Sequence, residues 1–386
     1  MAGTKRVDVA VIGGGILGTS LAYHLGADQG QSVALFERGT LAQGASGKAA
    51  GIISAQCWND WDVRVIEDSR KEYRRLSEEN ERGIYEEVGG MRIASTPENV
   101  ELLKRQLRRL HRGGVEGRII DPSKLKEHYS TGTFDGVRSA LYTPHDAVVS
   151  PTDLTTLYWS LAAESGAVSV TDAERVTIKP SGGSWEVSAG SQGFHAGKLV
   201  IACGAWSKKV LAGLGYRAPL APYITRACLL NVAAEGGFPY LHDSESDVYL
   251  RPFPGRDVLL GDGTELKEVD PDRVPEPDHT AFLENVQGFL ARRFPAWAEA
   301  PLESVWWGVC TSTPDRRPLV GPVPGKENLF VATGLNGYGV MRAGAIAKRL
   351  AGGVASGRFH GLEPCAPSRF KLDEPDFEPR PGFTLE

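Results

Sequence analysis

Three glycines, Gly13, Gly15 and Gly18, stand in G-x-G-x-x-G spacing directly behind the apolar run Val7-Asp8-Val9-Ala10-Val11-Ile12. In such a run the first glycine closes a tight turn, the second lets backbone approach a pyrophosphate, and the third lets a helix pass close to a strand. The helix expected over about residues 19–25 presents free amide donors and the positive end of its dipole to a diphosphate. Roughly twenty residues past Gly18, Glu37 closes the run Ser32-Val33-Ala34-Leu35-Phe36, where a carboxylate accepts hydrogen bonds from a ribose diol. The glycine spacing alone is a weak signal in a chain with 46 glycines. Strand, glycines, helix, strand and acidic end together are a strong one. They point to a ligand with an adenosine diphosphate half and leave FAD and NAD both open.

The remaining elements must hold this site in place. Residues 40–53 are rich in small side chains and carry one lysine, a composition suited to backbone lying against a flat ligand. A long charged helix is expected over 62–87, with Val65, Ile66, Tyr73 and Leu76 on its inner face. Thr96-Pro97-Glu98 supplies the cap, first-turn proline and acid of a helix running to about 111, whose basic residues form a solvated face. Pro151-Thr152-Asp153 begins another. Residues 195–202 read as a buried strand meeting Cys203-Gly204-Ala205-Trp206, and strand ends are where open α/β sheets take ligands. From 218 to 300 the texture changes to alternating strands broken by turns, the mark of a separate antiparallel unit. Strands resume at 304–310 and 328–333, the second meeting Gly334-Leu335-Asn336-Gly337-Tyr338-Gly339-Val340 and a helix to 350. The proline-rich tail from Glu363 is expected to wrap the surface or a partner.

At 386 residues, 41% of them hydrophobic, the chain is long enough for two domains around a shared cleft. A net charge of -5 with mixed signs gives no nucleic-acid footprint. The five cysteines and eight histidines are scattered without metal-ligand or disulfide spacing, so no metal is expected. Six residues before the first strand leave no room for a signal peptide, and no apolar run reaches transmembrane length. A cytoplasmic location is expected.

Several stretches, in order and spacing, resemble the D-amino-acid-oxidase-like family of FAD-dependent amine and amino-acid oxidoreductases. That group comprises glycine and sarcosine oxidases and dimethylglycine and proline dehydrogenases. The stretches are the glycine run itself, Ala45-Ser46-Gly47, Thr143-Pro144-His145-Asp146, Ile201-Ala202-Cys203-Gly204-Ala205-Trp206-Ser207, Thr313-Pro314-Asp315-Arg316-Arg317-Pro318, and the closing 330–340. The resemblance spans essentially the whole chain and selects FAD. It implies an α/β fold, with a Rossmann-like FAD-binding domain of 1–88, 145–216 and 302–386. An inserted antiparallel-sheet α+β substrate domain would comprise 89–144 and 217–301.

The same resemblance assigns Gly13, Gly15, Ile16, Leu17 and Gly18 to the diphosphate, and Glu37, with Arg38 beside it, to the adenosine side. Ser46, Gly47 and Lys48 would lie near the diphosphate and ribityl chain, followed by Ala50, Gly51 and Ile52. Val176 falls on the adenine side, and Ala202, Gly204 and Trp206 cross close to the cofactor. Gly334, Asn336, Gly337, Tyr338, Gly339 and Val340 would cradle the pyrimidine edge, where a helix N-terminus stabilises charge on reduced flavin.

The reaction implied is hydride transfer from the carbon bearing the amine to flavin N5, giving an imine that hydrolyses. That step needs no proton-transfer side chain, so His145 and His242 are expected to be structural or superficial. Two departures from the family matter. Cys310 stands where glycine-oxidase relatives carry a carboxylate-binding arginine, and Gly308 stands where monomeric sarcosine oxidases carry the cysteine that attaches flavin. FAD is therefore expected to be non-covalent. A substrate carboxylate then needs another cation. Arg251 is the first candidate, Lys48 and Arg226 are reserves, and Tyr249 and Tyr338 are candidate donors, with Trp58 and Trp307 as apolar walls. The expected substrate is a small secondary or tertiary amine or amino acid of the sarcosine, dimethylglycine or proline type, with oxygen, a quinone or a dye taking the electrons. A 2-hydroxy-acid substrate, a homo-oligomer and a flavin-bearing subunit of a larger complex stay open.

Overall fold

A computed structural model of the chain describes residues 5–370 except 174, 233–236, 256 and 263–266; the tail beyond 370 lies outside the described residues. The first strand, Lys5–Ile12, runs parallel to Val33–Phe36 on one side and to Gln192–Ile201 on the other. Val168–Val170 extends the parallel set beyond Val33–Phe36, and Leu329–Thr333 pairs with the end of Gln192–Ile201. A meander of Val176–Ser181 and Ser184–Ala189 completes that flank, and Leu319–Pro322 pairs with Leu329–Thr333. Alternation along the strands explains the unbroken apolar runs. Val9, Val11, Val33 and Leu35 pack on one face with the helices Ile16–Tyr23, Asp60–Glu79, Pro151–Glu164 and Gly339–Ser356. Ala10, Ile12, Ala34 and Phe36 pack on the other with Val187, Phe194 and Leu211. A sheet covered on both faces has no position for a polar residue in its centre.

Helix boundaries follow their caps. The helix behind the glycine run begins at Ile16 rather than near residue 19, because Gly15 is its extended N-cap, and it ends in a π-helical turn, His24–Asp28. Asn59 starts the helix Asp60–Glu79 by accepting from the Asp62 amide at 2.9 Å. That helix stops eight residues short of the expected limit, at the non-helical Asn80, and Tyr85–Glu87 is instead a strand. Thr96 and Ser150 cap Pro97–Arg112 and Pro151–Glu164 with their side chains, as their sequences require.

A second eight-stranded sheet faces the first across the cleft. Its order is Leu302–Ser312, Ala221–Asn231, Asp257–Asp262, Tyr249–Phe253, Tyr240–Asp243, Gly90–Ala94, Ser139–Thr143 and Arg118–Ile120. The segment that the sequence reading gives to the FAD half therefore opens with a strand of this other sheet: Leu302–Ser312 pairs with Ala221–Asn231 almost end to end. Met91, Ile93, Leu241, Leu250, Val258 and Leu260 point to the back of the sheet, where they pack on Phe282 and Phe289 of the helix Thr280–Arg293. The alternate residues point to the cleft. A short sheet of Ile52–Ile53, Ala147–Val149 and Tyr85–Glu87 lies where the chain passes between the two large ones. Among the described residues no helix is long and apolar enough to cross a membrane.

Candidate active site

A single cavity of about 1080 Å³ runs from the glycine loop to the cleft face of the second sheet. That exceeds the ~300–1,000 Å³ usual for one small ligand, so it has room for a dinucleotide and a substrate together. At its first end Gly13 has φ +116°, and a Cβ there would lie 2.5 Å from the Ala202 carbonyl oxygen. A Cβ at Gly18 would overlap the Gly13 carbonyl, and one at Gly47 the Ala42 carbonyl. Gly18 and Gly47 do not line the cavity; they shape it from behind by letting backbones touch. Ser46 Oγ accepts from the Ile16 amide at 2.9 Å and ties the small-residue loop to the helix start. Glu37 Oε2 accepts from the Gly14 amide at 2.6 Å and Oε1 from the Gly39 amide at 2.9 Å. Its carboxylate thus braces the loop while still lining the cavity.

Ile16, Leu17, Arg38, Lys48, Ala50, Gly51, Ile52, Val176, Ala202, Gly204 and Trp206 line the same space. Arg38 stacks on the Trp206 ring with its guanidinium carbon 4.3 Å from the centroid. Trp206 Nε1 donates to Asp272 Oδ1 at 2.7 Å, and Lys209 reaches Asp272 Oδ2 at 2.5 Å. A loop of the second half is thereby clasped over this end.

The late glycine junction closes the other end, with Gly334, Asn336, Gly337, Tyr338, Gly339 and Val340 all lining. Gly334, Asn336 and Gly337 have φ of +68°, +52° and +82°. Asn336 accepts from the Thr313 amide and donates to the Gly334 carbonyl, so the turn is fixed before the helix Gly339–Ser356 starts. Tyr73 holds that helix by donating to the Val340 carbonyl at 2.7 Å.

The floor is one row across the second sheet. Register places Arg92 beside His242, His242 beside Tyr249, Tyr249 beside Gly261, Gly261 beside Ala227 and Ala227 beside Trp306. All but Gly261 line the cavity. Trp58 packs edge-on against Tyr338, centroids 4.9 Å apart. Burial drives the Tyr249, Tyr338 and Tyr240 phenols and the Cys310 thiol above their ordinary values. Burial, helped by the neighbouring Arg92 cation, lowers the pKa of His242 against the opposing pull of Asp247, 3.1 Å from its Nε2. Asp146, fully buried, is raised to about 6 by burial. It accepts from Thr143 Oγ1 at 2.5 Å and Ser54 Oγ at 2.7 Å, and Ser54 Oγ lies 2.5 Å from Tyr240 Oη at the cavity wall.

Several sequence expectations need correction here. Arg251 is buried but is not among the cavity-lining residues; its Nη1 donates to the Pro252 carbonyl at 3.2 Å and its guanidinium lies over Phe253. It shares a face with Tyr249, two residues along the strand from it, beyond the residues that line the cavity. Burial lowers its pKa to about 10. Of the two histidines expected to be structural or superficial, His242 is buried and lines the cavity, and His145 is exposed and paired with Glu87 at 2.7 Å. Tyr249, Tyr338, Arg226, Lys48, Trp58, Trp307 and Cys310 do line the cavity. Arg92 and Tyr240 also line the cavity and are not among the residues expected there from sequence. The available signal was a lone arginine between the apolar Met91 and Ile93 of a short strand.

The family profile of FAD dependent oxidoreductases, DAO, matches residues 8–352. Dimethylglycine dehydrogenase from Rattus norvegicus is 30% identical over 91% of this chain and 43% of its own length, so the chain spans less than half of this curated relative. The crystal structure of glycine oxidase from Geobacillus kaustophilus superposes with a TM-score of 0.81 at 25% identity, covering 95% of this chain and 100% of that one. L-proline dehydrogenase from P.horikoshii superposes with a TM-score of 0.86 at 24% identity, over 95% and 98%, a likeness of fold.

Proposed function

The chain belongs to the DAO family of FAD dependent oxidoreductases, and from that premise we propose that it oxidises the C–N bond of a small secondary or tertiary amino acid of the sarcosine, dimethylglycine or proline type. The observation that carries this reading is the continuity of the cavity: one space joins the glycine loop to a floor bearing Arg92, His242 and Tyr249. Bound FAD would accept a hydride from the carbon next to the amine nitrogen, leaving an imine that water hydrolyses.

The chain's own residues have the following proposed parts. The start of the helix Ile16–Tyr23, whose Ile16 amide is held by Ser46 Oγ, would present its remaining first-turn amides to the diphosphate, and Glu37 would receive the adenosine ribose while bracing its loop. The start of the helix Gly339–Ser356 directs partial positive charge at the pyrimidine edge. Non-covalent retention is supported by Gly308 where monomeric sarcosine oxidases carry their attaching cysteine, and by the buried, raised thiol of Cys310, which makes it a poor nucleophile. A buried site already holding the Arg92 cation disfavours a second positive charge, so the amine is bound neutral with its lone pair available. Trp58 and Tyr338 supply an apolar wall that excludes water.

The test is turnover of the purified flavoprotein with sarcosine, dimethylglycine and proline in the presence of a dye acceptor. One dye equivalent should be reduced per amine consumed. Reduction by 2-hydroxy acids alone would overturn the amine reading.

A further inference from the structure

We propose that Arg92 is the carboxylate anchor of the site, so that the substrate is an α-amino acid rather than a carboxyl-free amine; the inference rests on the amine-oxidation reading above. Arg92 is 5% exposed. Its neighbours Met91 and Ile93 are buried behind the sheet, and strand alternation turns Arg92 to the cavity that it lines. Among the described residues it has no ion-pair partner, and its buried Nε has no hydrogen-bond acceptor. A buried guanidinium without an anion is costly and is retained where an anion arrives from outside.

The other buried arginines are differently placed. Arg342 pairs with Asp62 at 2.9 Å and Arg293 with Asp243 at 3.3 Å. Arg226 lies across the strands from the carboxylate-bearing Asp262. Arg251, whose Nε is likewise without an acceptor, does not line the cavity, and its Nη1 donates to the Pro252 carbonyl. Arg92 is thus the buried arginine whose available anion is the cavity's occupant. Its guanidinium carbon lies 6.0 Å from the Trp58 ring centroid, so one flank of the anchored group meets an aromatic face. The anchor comes from a different strand than Cys310, which stands where glycine-oxidase relatives carry their arginine.

The experiment uses FAD-loaded protein and the unreactive probe pyrrole-2-carboxylate, with its uncharged carboxamide as control. Binding is read from perturbation of the flavin absorbance and from thermal shift of the same FAD-loaded protein. In the wild type the carboxylate should bind, and Arg92→Met should weaken it roughly 100-fold while leaving carboxamide binding and flavin content unchanged. Arg92→Lys should weaken it about tenfold, because a point charge replaces the bidentate fork, and it serves as the readout should Arg92→Met lose flavin. With substrates, Arg92→Met should raise KM for sarcosine or proline by a much larger factor than for pyrrolidine, which has no carboxylate for the anchor to hold. Unchanged carboxylate affinity in both variants would overturn the anchor while leaving amine oxidation standing. Arg92-dependent carboxylate binding without reduction of the flavin by any amine would instead sink the functional reading and keep the anchor.

Discussion

The Tyr249 phenol lies over the Cα of Gly261, so that a Cβ at Gly261 would overlap the Tyr249 hydroxyl. The two are register partners on adjacent strands in the middle of the cavity floor. Gly261 therefore sets where the Tyr249 ring sits. Gly261→Ala should push the ring into the substrate space at a cost of about 1–3 kcal/mol in stability, the range for an overpacked site. The expected kinetic result is a rise of about tenfold in substrate KM with flavin content preserved, measured by steady-state turnover and visible absorbance.

At the opposite end, Gly18 and Gly13 touch through backbone, with no room for a Cβ at Gly18. Gly18→Ala should separate the nucleotide helix from the first strand and yield protein purified without flavin. The ratio of flavin to protein absorbance reads this directly. A fully loaded variant would show that the diphosphate lies elsewhere.

The clasp of Arg38, Trp206 and Asp272 is exposed and screened by solvent, so its contribution is kinetic rather than structural. Asp272→Ala should release FAD about threefold faster at low salt, with the difference shrinking as salt rises. Stopped dilution with fluorescence of released flavin measures it.

Asp146 imposes a pH dependence. Burial raises its folded pKa to about 6 from 3.8, so the folded chain holds a proton that the unfolded chain releases between roughly pH 4 and 6. The stabilisation is complete below about pH 4 and is lost as pH rises through 6. A carboxyl that ionises about two pH units later in the folded chain contributes about 3 kcal/mol where it is protonated in both states. The stability gap between wild type and Asp146→Asn, from urea unfolding, should therefore be larger by that order at about pH 4 than at about pH 7. A gap independent of pH would contradict this account of the carboxyl.

What could be read in advance was whatever is local in the chain. The glycine loop demands its residue types wherever it folds, and Thr96 and Ser150 announce the helices they cap. What could not be read depends on pairing between distant strands. Leu302–Ser312 looks like a resumption of the α/β half until its partner, Ala221–Asn231, is known. Arg251 and Arg92 both follow an alternating pattern, and nothing in either strand says which stretch of it lies over the cavity. Register with Tyr240–Asp243 brings Arg92 beside His242, while Arg251 sits past the cavity's edge.

Whether the chain oxidises amines is read most directly from anaerobic absorbance of the flavin-loaded protein as sarcosine, dimethylglycine or proline is added. The account requires the oxidised-flavin bands to bleach with at least one of them, with an amine and a carbonyl compound released on hydrolysis or, from proline, the cyclic imine. A flavin spectrum that persists through all three and yields only to a 2-hydroxy acid, or to no donor, would contradict it.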